Sequence, residues 1–559
     1  MLKTYPFTRE ALESVKLNPY GSNWPVVYII NNKKEAYVGE TINAYIRMTQ
    51  HLRDFHRASL EQFHIISDDT FNKSAILDTE AFLIKHMSVD HKFELQNLNS
   101  GVRTHNYYNK ETYEVGFTEI WKQLKNAGLV NRSIKVIENT NLFKYSPYKS
   151  LSADQYLSAY DMMSTLLEHT KKKEPAVFLV NGEAGTGKSV LAVYLVKLIT
   201  DVMNEDFDHL EEDAYGFHEL LYLRSFRRMK VGLVIPMSSF RTSLRKVFKK
   251  IPGLDESMVL APSRVKKGEY DLLIVDEAHR LRREVNVAGY QHAEFTRMKE
   301  TLGRESVTEL DWIMECSNYQ ILLYDKNQMV RPTDVRNEDF KDWTRQRPCS
   351  HFQLDSQLRV KGGKDYLTYI KKIFSHSPPK RKQVFKEYEL KLYDHLDDMV
   401  QEIQKADNRK GLCRVISGYA WQWKTKGIKL EEIQKRGLYD IEEDGKRMIW
   451  NHRLEDWVPC KNAINEVGCI HTIQGYDLNY AGVIIGNDLQ YNKKTKRLEI
   501  HKECYFDANG KKSLKNEQEL EEYILNIYYV LMSRGIYGTY VYVCDEGLRE
   551  YLKRFIDHF

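Results

Sequence analysis

One eight-residue segment limits this chain more than any other: Gly182-Glu183-Ala184-Gly185-Thr186-Gly187-Lys188-Ser189. An apolar run at residues 176–180 precedes it and a helical pattern at 190–199 follows it. Strand, glycine-rich loop and helix in that order make a phosphate cradle. The glycines let backbone N–H groups turn inward, and the helix N-terminus adds positive potential. In the pattern G-x-x-x-x-G-K-[ST], Lys188 reaches the β/γ-phosphates and the Ser189 hydroxyl coordinates magnesium. Gly182, Gly185, Thr186 and Gly187 complete the cradle, so ATP with Mg2+ is the expected ligand.

The surrounding pattern fits a parallel sheet. Buried-strand runs recur at 176–180, 231–235, 270–275, 320–324, 413–417, 482–485 and 539–544, with longer helical patterns between them. Such alternation predicts parallel sheets covered by helices on both faces. The 559 residues are too many for one core, since domains run about 100–200 residues. The run at 270–275 ends in Asp276-Glu277-Ala278-His279. A carboxylate there lies at the ligand edge of the sheet, where Asp276 can hold magnesium and Glu277 can polarise the attacking water. Gln155 is placed upstream to read an adenine edge, and Gln328, after the run at 320–324, to sense the γ-phosphate. Further along stand Gln357-Leu358-Arg359, His471-Thr472-Ile473-Gln474-Gly475-Tyr476-Asp477 and Met532-Ser533-Arg534.

With these segments in this order, residues 150–559 resemble a superfamily 1 helicase motor, nearest to the bacterial schlafen-like group. The resemblance implies two RecA-like domains clamping ATP, with Gly475 at the nucleotide and Arg359 and Arg534 as arginine fingers. It also implies a single strand running over both domains, with Ser238, Ser239 and Arg241 as backbone contacts; Trp421 and Trp423 are open to stacking on bases, although a pair at i and i+2 after a strand more often packs in the core. Tyr324 stands where the family pattern has glycine, and the segment between the two halves is short. Translocation without processive unwinding therefore stays open.

The first hundred residues have a different texture. Runs at 26–30 and 35–39, joined by Asn31-Asn32-Lys33-Lys34, predict a hairpin. Arg47 and His51 fall at i, i+4 on one helix face, and Glu80 lies in a helical stretch. Tyr28, Tyr37, Arg47, His51, Glu80 and Asn97 together resemble the GIY-YIG nuclease fold, although the first tripeptide here is Val26-Val27-Tyr28. The resemblance implies a metal-dependent endonuclease with Glu80 holding one Mg2+ or Mn2+. Tyr28 would accept a proton from water, Arg47 would stabilise phosphate charge, Tyr37 and His51 would orient, and Asn97 would support the fold.

The expected fold is therefore α/β: a small α+β nuclease domain (1–105), a connector (106–150) and two RecA-like domains (151–345 and 346–559). The net charge of +5 excludes a uniform basic coat but not a basic channel. The expected polymer is nucleic acid, DNA before RNA, and a homo-oligomer or protein partner is compatible with the chain. No apolar run is long enough for a membrane span, and the N-terminus does not read as a signal peptide. The seven cysteines form no C-x-x-C pair, so reduced thiols and a cytoplasmic setting are expected. Nuclease joined to motor resembles anti-phage defence effectors, with DNA repair, RNA-directed cleavage and a nucleotide-gated sensor as rivals.

Overall fold

The computed structural model describes residues 1–97, 107–147, 151–204, 229–285, 287, 289–325, 328, 331–453, 457–473, 475–511, 514 and 517–559. The chain divides into two units: Met1–Tyr160 with Val193–Tyr222, and Asp161–Ala192 with Leu223–Phe559.

The first unit is built on a five-stranded sheet. Its strands are β1 (Leu2–Pro6), β2 (Val26–Asn31), β3 (Glu35–Thr41), β4 (Gln62–Ile66) and β5 (Glu94–Leu95), in the order β1-β4-β2-β3-β5. β2 and β3 form the predicted hairpin, with Tyr28 opposite Gly39 and Ile30 opposite Tyr37. Asn32 makes the turn, its Oδ1 accepting from the N–H groups of Lys34 and Glu35 at 2.7 Å each. Asparagines also start two helices. Asn43 caps Ala44–His51 through Ile46 N, and Asn72 caps Lys73–Asp90 through Ala75 N.

Residues 107–147, expected as a connector with a helix, carry the helix Lys110–Asn126 and group with this unit. Trp121 and Leu124, on the helix Lys110–Asn126, share a core with Ile76, Leu83 and Met87. Asp90 secures the segment by accepting from the N–H groups of Asn131 (2.7 Å) and Arg132 (2.6 Å). The apolar contacts come from a helix distant in sequence, so periodicity within the segment is weak.

The second unit contains two six-stranded parallel sheets. The first comprises β6 (Ala176–Gly182), β7 (Val231–Val234), β8 (Val259–Leu260), β9 (Leu272–Val275), β10 (Tyr319–Tyr324) and β11 (Cys349–Leu354), ordered β11-β6-β10-β9-β7-β8. It thus reaches past residue 345, because β11 pairs with β6 at the edge. The second contains β12 (Glu389–Tyr393), β13 (Arg414–Ser417), β16 (Val467–Cys469), β17 (Leu478–Ile485), β20 (Gly535–Val543) and β21 (Asp557–His558), ordered β16-β13-β17-β20-β12-β21. Two hairpins, β14 (Ile441–Glu443) with β15 (Lys446–Met448) and β18 (Leu489–Asn492) with β19 (Arg497–Ile500), stand outside it. The central strands are apolar on both faces, as sheets covered by helices require. Small mixed sheet plus two parallel sheets is the α/β architecture expected. All seven cysteines are free thiols. Among the described residues, no helix is long and apolar enough to cross a membrane.

Candidate functional site

The phosphate loop leaves the C-terminal end of β6, while Asp276 and Asp325 follow its near neighbours β9 and β10, so all three reach one sheet edge. Gly185 (φ +85°) and Gly187 (φ +78°) take the left-handed conformation that glycine adopts most readily. Gly185 also makes room: a Cβ there would lie 2.1 Å from Gln357 Oε1. Gln357 donates to Ala184 O at 2.7 Å, and Leu358 N donates to Gly185 O at 2.9 Å. The Gln357-Leu358-Arg359 segment therefore lies directly on the loop. Lys188 is buried and donates to Gly182 O (2.6 Å) and Glu183 O (3.2 Å). Thr186 donates to Glu183 O at 3.0 Å.

Ser189 hydrogen-bonds the buried Asp276 carboxylate, whose pKa burial and the neighbouring Glu277 push above the usual range. Asp276 Oδ2 has no hydrogen-bond partner among the described residues. A hydroxyl beside an unsatisfied carboxylate oxygen is a donor set that fits a hard dication. Glu277, at φ +53°, sits 3.1 Å from His279 Nε2. The Asp325 N–H donates to His279 Nδ1 at 3.2 Å, and burial holds this imidazole neutral. Its remaining proton thus faces Glu277. Gln328 donates to Asp325 Oδ2 at 2.7 Å and accepts from Arg534 Nη2 at 3.4 Å. Burial and the Arg359 charge push the Arg534 guanidinium down to about 10. Arg359 Nε pairs with Asp477, and Lys371 pairs with Glu183 at 2.7 Å. Both arginines therefore stand at the same edge as the loop.

Two further expected nucleotide contacts have protein neighbours of their own. Gly475 (φ +83°) packs against Phe240, which a Cβ would approach to 2.8 Å. The adjoining Tyr476 hydroxyl shares a 2.7 Å hydrogen bond with Ser243. Gly475 thus serves close packing between the second sheet domain and the helix Ser238–Phe248. Gln474 lies outside the described residues. Gln155 belongs to the first unit, where its Oε1 accepts from Ser152 N at 3.0 Å at the start of the helix Ala153–Lys172.

A cleft of about 520 Å3 spans the two parallel-sheet domains and includes Ser238, Ser239 and Arg241. Arg280, Arg282 and Arg331 join them, with Glu294, Glu309 and Asp334 on the same lining and Arg280 paired to Asp334 at 2.6 Å, which leaves arginines in excess that sequence reading missed. The available signal was the run His279-Arg280-Leu281-Arg282-Arg283 directly after the acidic pair. Trp421 and Trp423 do not line it; both pack on the core of the second sheet domain, Trp423 edge-on to Trp450 at 5.8 Å. Tyr419 lines the cleft instead.

The first unit brings its own cluster together. The buried Tyr28 Oη lies 2.7 Å from His51 Nε2 and accepts from Arg47 Nε at 3.3 Å. Gly39 permits this position, since a Cβ there would lie 2.4 Å from the Tyr28 hydroxyl. Tyr37 stacks 6.2 Å from Tyr28. Asn97 clamps β3 by accepting from Val38 N at 3.0 Å and donating to Val38 O. Arg57, which sequence reading missed, contacts His51 Nδ1 and covers the Tyr37 ring at 4.0 Å. Burial, Arg57 and Arg47 push the His51 imidazole down to about 2. A guanidinium only donates, so Nδ1 accepts and the neutral ring carries its proton on Nε2. Tyr28 Oη consequently receives two N–H donors.

The lowered phenol pKa that proton abstraction requires is not the one found. Burial, then Tyr37, pushes the Tyr28 phenol up, outweighing Arg47. Glu80, half-buried on the helix Lys73–Asp90, is near enough to add to that shift. Among the described residues, no group of three or more His, Cys, Asp or Glu side chains is arranged to hold a metal.

The family model of the Schlafen group 3 DNA/RNA helicase domain matches residues 175–545. The chain belongs to that family. The match covers both parallel sheets except the terminal β21, and it leaves the first unit's five-stranded sheet outside. An uncharacterized protein of Saccharomyces cerevisiae is 28% identical over 417 residues, covering 68% of this chain and 85% of its own. Among solved structures, the DEAD-box helicase Mss116 bound to ssRNA and UDP-BeF is similar at 12% identity and TM-score 0.35, covering 78% of this chain and 79% of its own. The arterivirus nonstructural protein 10 helicase with DNA is similar at 11% identity and TM-score 0.28; the match covers 72% of the Schlafen group 3 chain and 65% of the viral one. Overlaps of this size add nothing to the topology already described.

Proposed function

We propose that the protein is a nuclease–motor fusion: a GIY-YIG-type, metal-dependent endonuclease joined to an ATP-driven motor on nucleic acid. The nuclease half is carried by one observation, the convergence of His51 and Arg47 on the Tyr28 oxygen. Two donors aimed at one phenol oxygen stabilise negative charge there. In this reading Tyr28 takes the proton of the attacking water as phenolate, and because burial pushes its phenol up, the two donors and a bound cation together would have to bring it down. His51 and Arg47 hold the charge on its oxygen, with Arg47 also turned to phosphate, and Tyr37 orients. A Mg2+ or Mn2+ held by Glu80 would supply Lewis acidity at the scissile phosphate.

For the motor, Ser189 and Asp276 would hold the Mg2+ of ATP and Lys188 the β/γ-phosphates. Glu277 would polarise water, with His279 beside it, and Gln328 would sense the γ-phosphate. Arg359 and Arg534 would stabilise charge on the transferred group. The basic cleft supports nucleic acid as the polymer, and DNA is our assignment ahead of RNA. The expected anti-phage role rests on the pairing of cutter with motor. ATP hydrolysis measured with matched single-stranded DNA and RNA, for the intact chain and Lys188→Ala, tests the motor half. We expect stimulation by DNA that Lys188→Ala abolishes; equal or stronger stimulation by RNA reverses the choice of polymer.

A further inference from the structure

A second cavity of about 520 Å3 lies in the second parallel-sheet domain, among residues that neither candidate site uses. Its wall is aromatic. Tyr491, on β18, stacks on Tyr551 with centroids 4.4 Å apart, and Phe374 lines the same space. Its rim is cationic. Lys496, Arg497 and Arg554 line it and are exposed, and none forms an ion pair among the described residues. Glu521 is a carboxylate on the lining. Two further lysines, Lys493 and Lys494, stand in the same turn. On a chain whose net charge is only +5, this is a local concentration of positive charge.

The turn between β18 and β19 is a fixed structure. Asn492 Oδ1 accepts from Lys494 N (2.8 Å) and Thr495 N (3.1 Å), and Asn492 O accepts from Lys496 N at 2.8 Å. Lys496 takes φ +55°, a conformation in which glycine is the usual occupant. The hairpin also lies close on the helix Glu546–Lys553, where a Cβ at Gly547 would meet Tyr491 O at 2.6 Å. The same stretch of chain continues to the basic cleft region. Phe506 N donates to Tyr419 O at 2.6 Å, and Asp507 and Gly510 line a smaller cavity with His471 and Arg331. One insertion between β17 and the helix Glu517–Met532 therefore contributes to both places.

We propose that this cavity is a second single-strand site, holding nucleotides of a strand that also occupies the cleft. A base packs against the aromatic wall while the unpaired cations take its phosphates, the combination that binds single strands without reading sequence. The proposal rests on the reading of the motor as a nucleic-acid enzyme.

Fluorescence anisotropy with the full chain tests it, using single strands of roughly 8 and roughly 30 nucleotides, within and well above the size of a single site. The double variant Arg497→Glu/Arg554→Glu is compared with the intact protein, and Lys496→Ala gives a milder variant. The intact protein binds the longer strand at least tenfold more tightly. The double variant loses that advantage while keeping its affinity for the short strand and its ATP hydrolysis, which also reports that it folds. Its salt slope on the long strand becomes shallower by about 0.7 for each phosphate no longer neutralised. A double variant that keeps the long-strand advantage overturns the proposal. So does competition by polyglutamate that equals competition by unlabelled oligonucleotide, which marks an acidic-peptide site. Short-strand binding with no gain for the long strand in the intact protein overturns this proposal alone; no binding of either length overturns the motor reading with it.

Discussion

The Arg534 guanidinium donates to the Gln328 carboxamide at 3.4 Å, and Gln328 in turn donates to Asp325 at 2.7 Å. This chain of hydrogen bonds runs from the second parallel sheet to the edge of the first, where the phosphate loop lies. It links the phosphate-loop edge of the first sheet physically to the second domain. Replacing Arg534 with Ala should lower ATP turnover by about 10³-fold or more if it acts as an arginine finger. Nucleotide binding, read by a fluorescent ATP analogue, should survive the change.

Gly185→Ala is the corresponding test of the loop. Its φ of +85° and the 2.1 Å approach of Gln357 Oε1 leave no place for a methyl group. The strained residue costs on the order of 1–3 kcal/mol, and the Gln357–Ala184 hydrogen bond is displaced. ATP affinity should fall while the urea unfolding of the first unit stays unchanged.

Arg57→Met should alter the Tyr28–His51 cluster that we propose as the nuclease site. In the intact chain His51 is neutral with its proton on Nε2; without Arg57 nothing holds Nδ1 as the acceptor. Histidine 15N spectra, assigned with His51→Gln, should show an Nε2–H tautomer that Arg57→Met releases. Cleavage should fall through kcat with KM retained, and Arg57→Lys should restore part of it.

Acid should weaken the first unit in a defined window. His64 accepts from the Thr4 hydroxyl and donates to Asn31 Oδ1, both at 2.8 Å, and burial pushes it down from 6.5 to about 4. Between those values the unfolded chain binds the extra proton. Stability therefore falls as pH drops from 6.5 towards 4, by on the order of 3 kcal/mol from this residue. His64→Gln should flatten that part of the urea-midpoint profile, and an unchanged slope would assign it elsewhere.

What could be read beforehand follows the range of the interactions. The phosphate loop, the β2–β3 hairpin and the acidic pair after β9 are local patterns, each defined by neighbours within a few residues. The Tyr28–Arg47–His51 grouping was legible for the same reason, being one hairpin and one helix turn. Arg57 was not, because its role depends on a 3-10 turn, Phe55–Arg57, folding back on His51. Gly475 was placed at the nucleotide by resemblance, and the contact with Phe240 could be seen only in the fold. The spacing of the tryptophans at 421 and 423 left base stacking and core packing both open, with core packing the commoner outcome, and Trp450, from a distant segment, takes Trp423 into the core. The short strand β1 carries mixed side chains because its place at the sheet edge and its partial exposure relax the pattern.

Cleavage of supercoiled plasmid with Mg2+, with and without ATP, tests the central claim most directly. The intact chain, Glu80→Ala and Lys188→Ala are compared side by side. Our account predicts cutting by the intact chain that Glu80→Ala abolishes and that ATP modulates through Lys188. Plasmid left whole by the intact chain in every lane, or cut equally by Glu80→Ala, would contradict it.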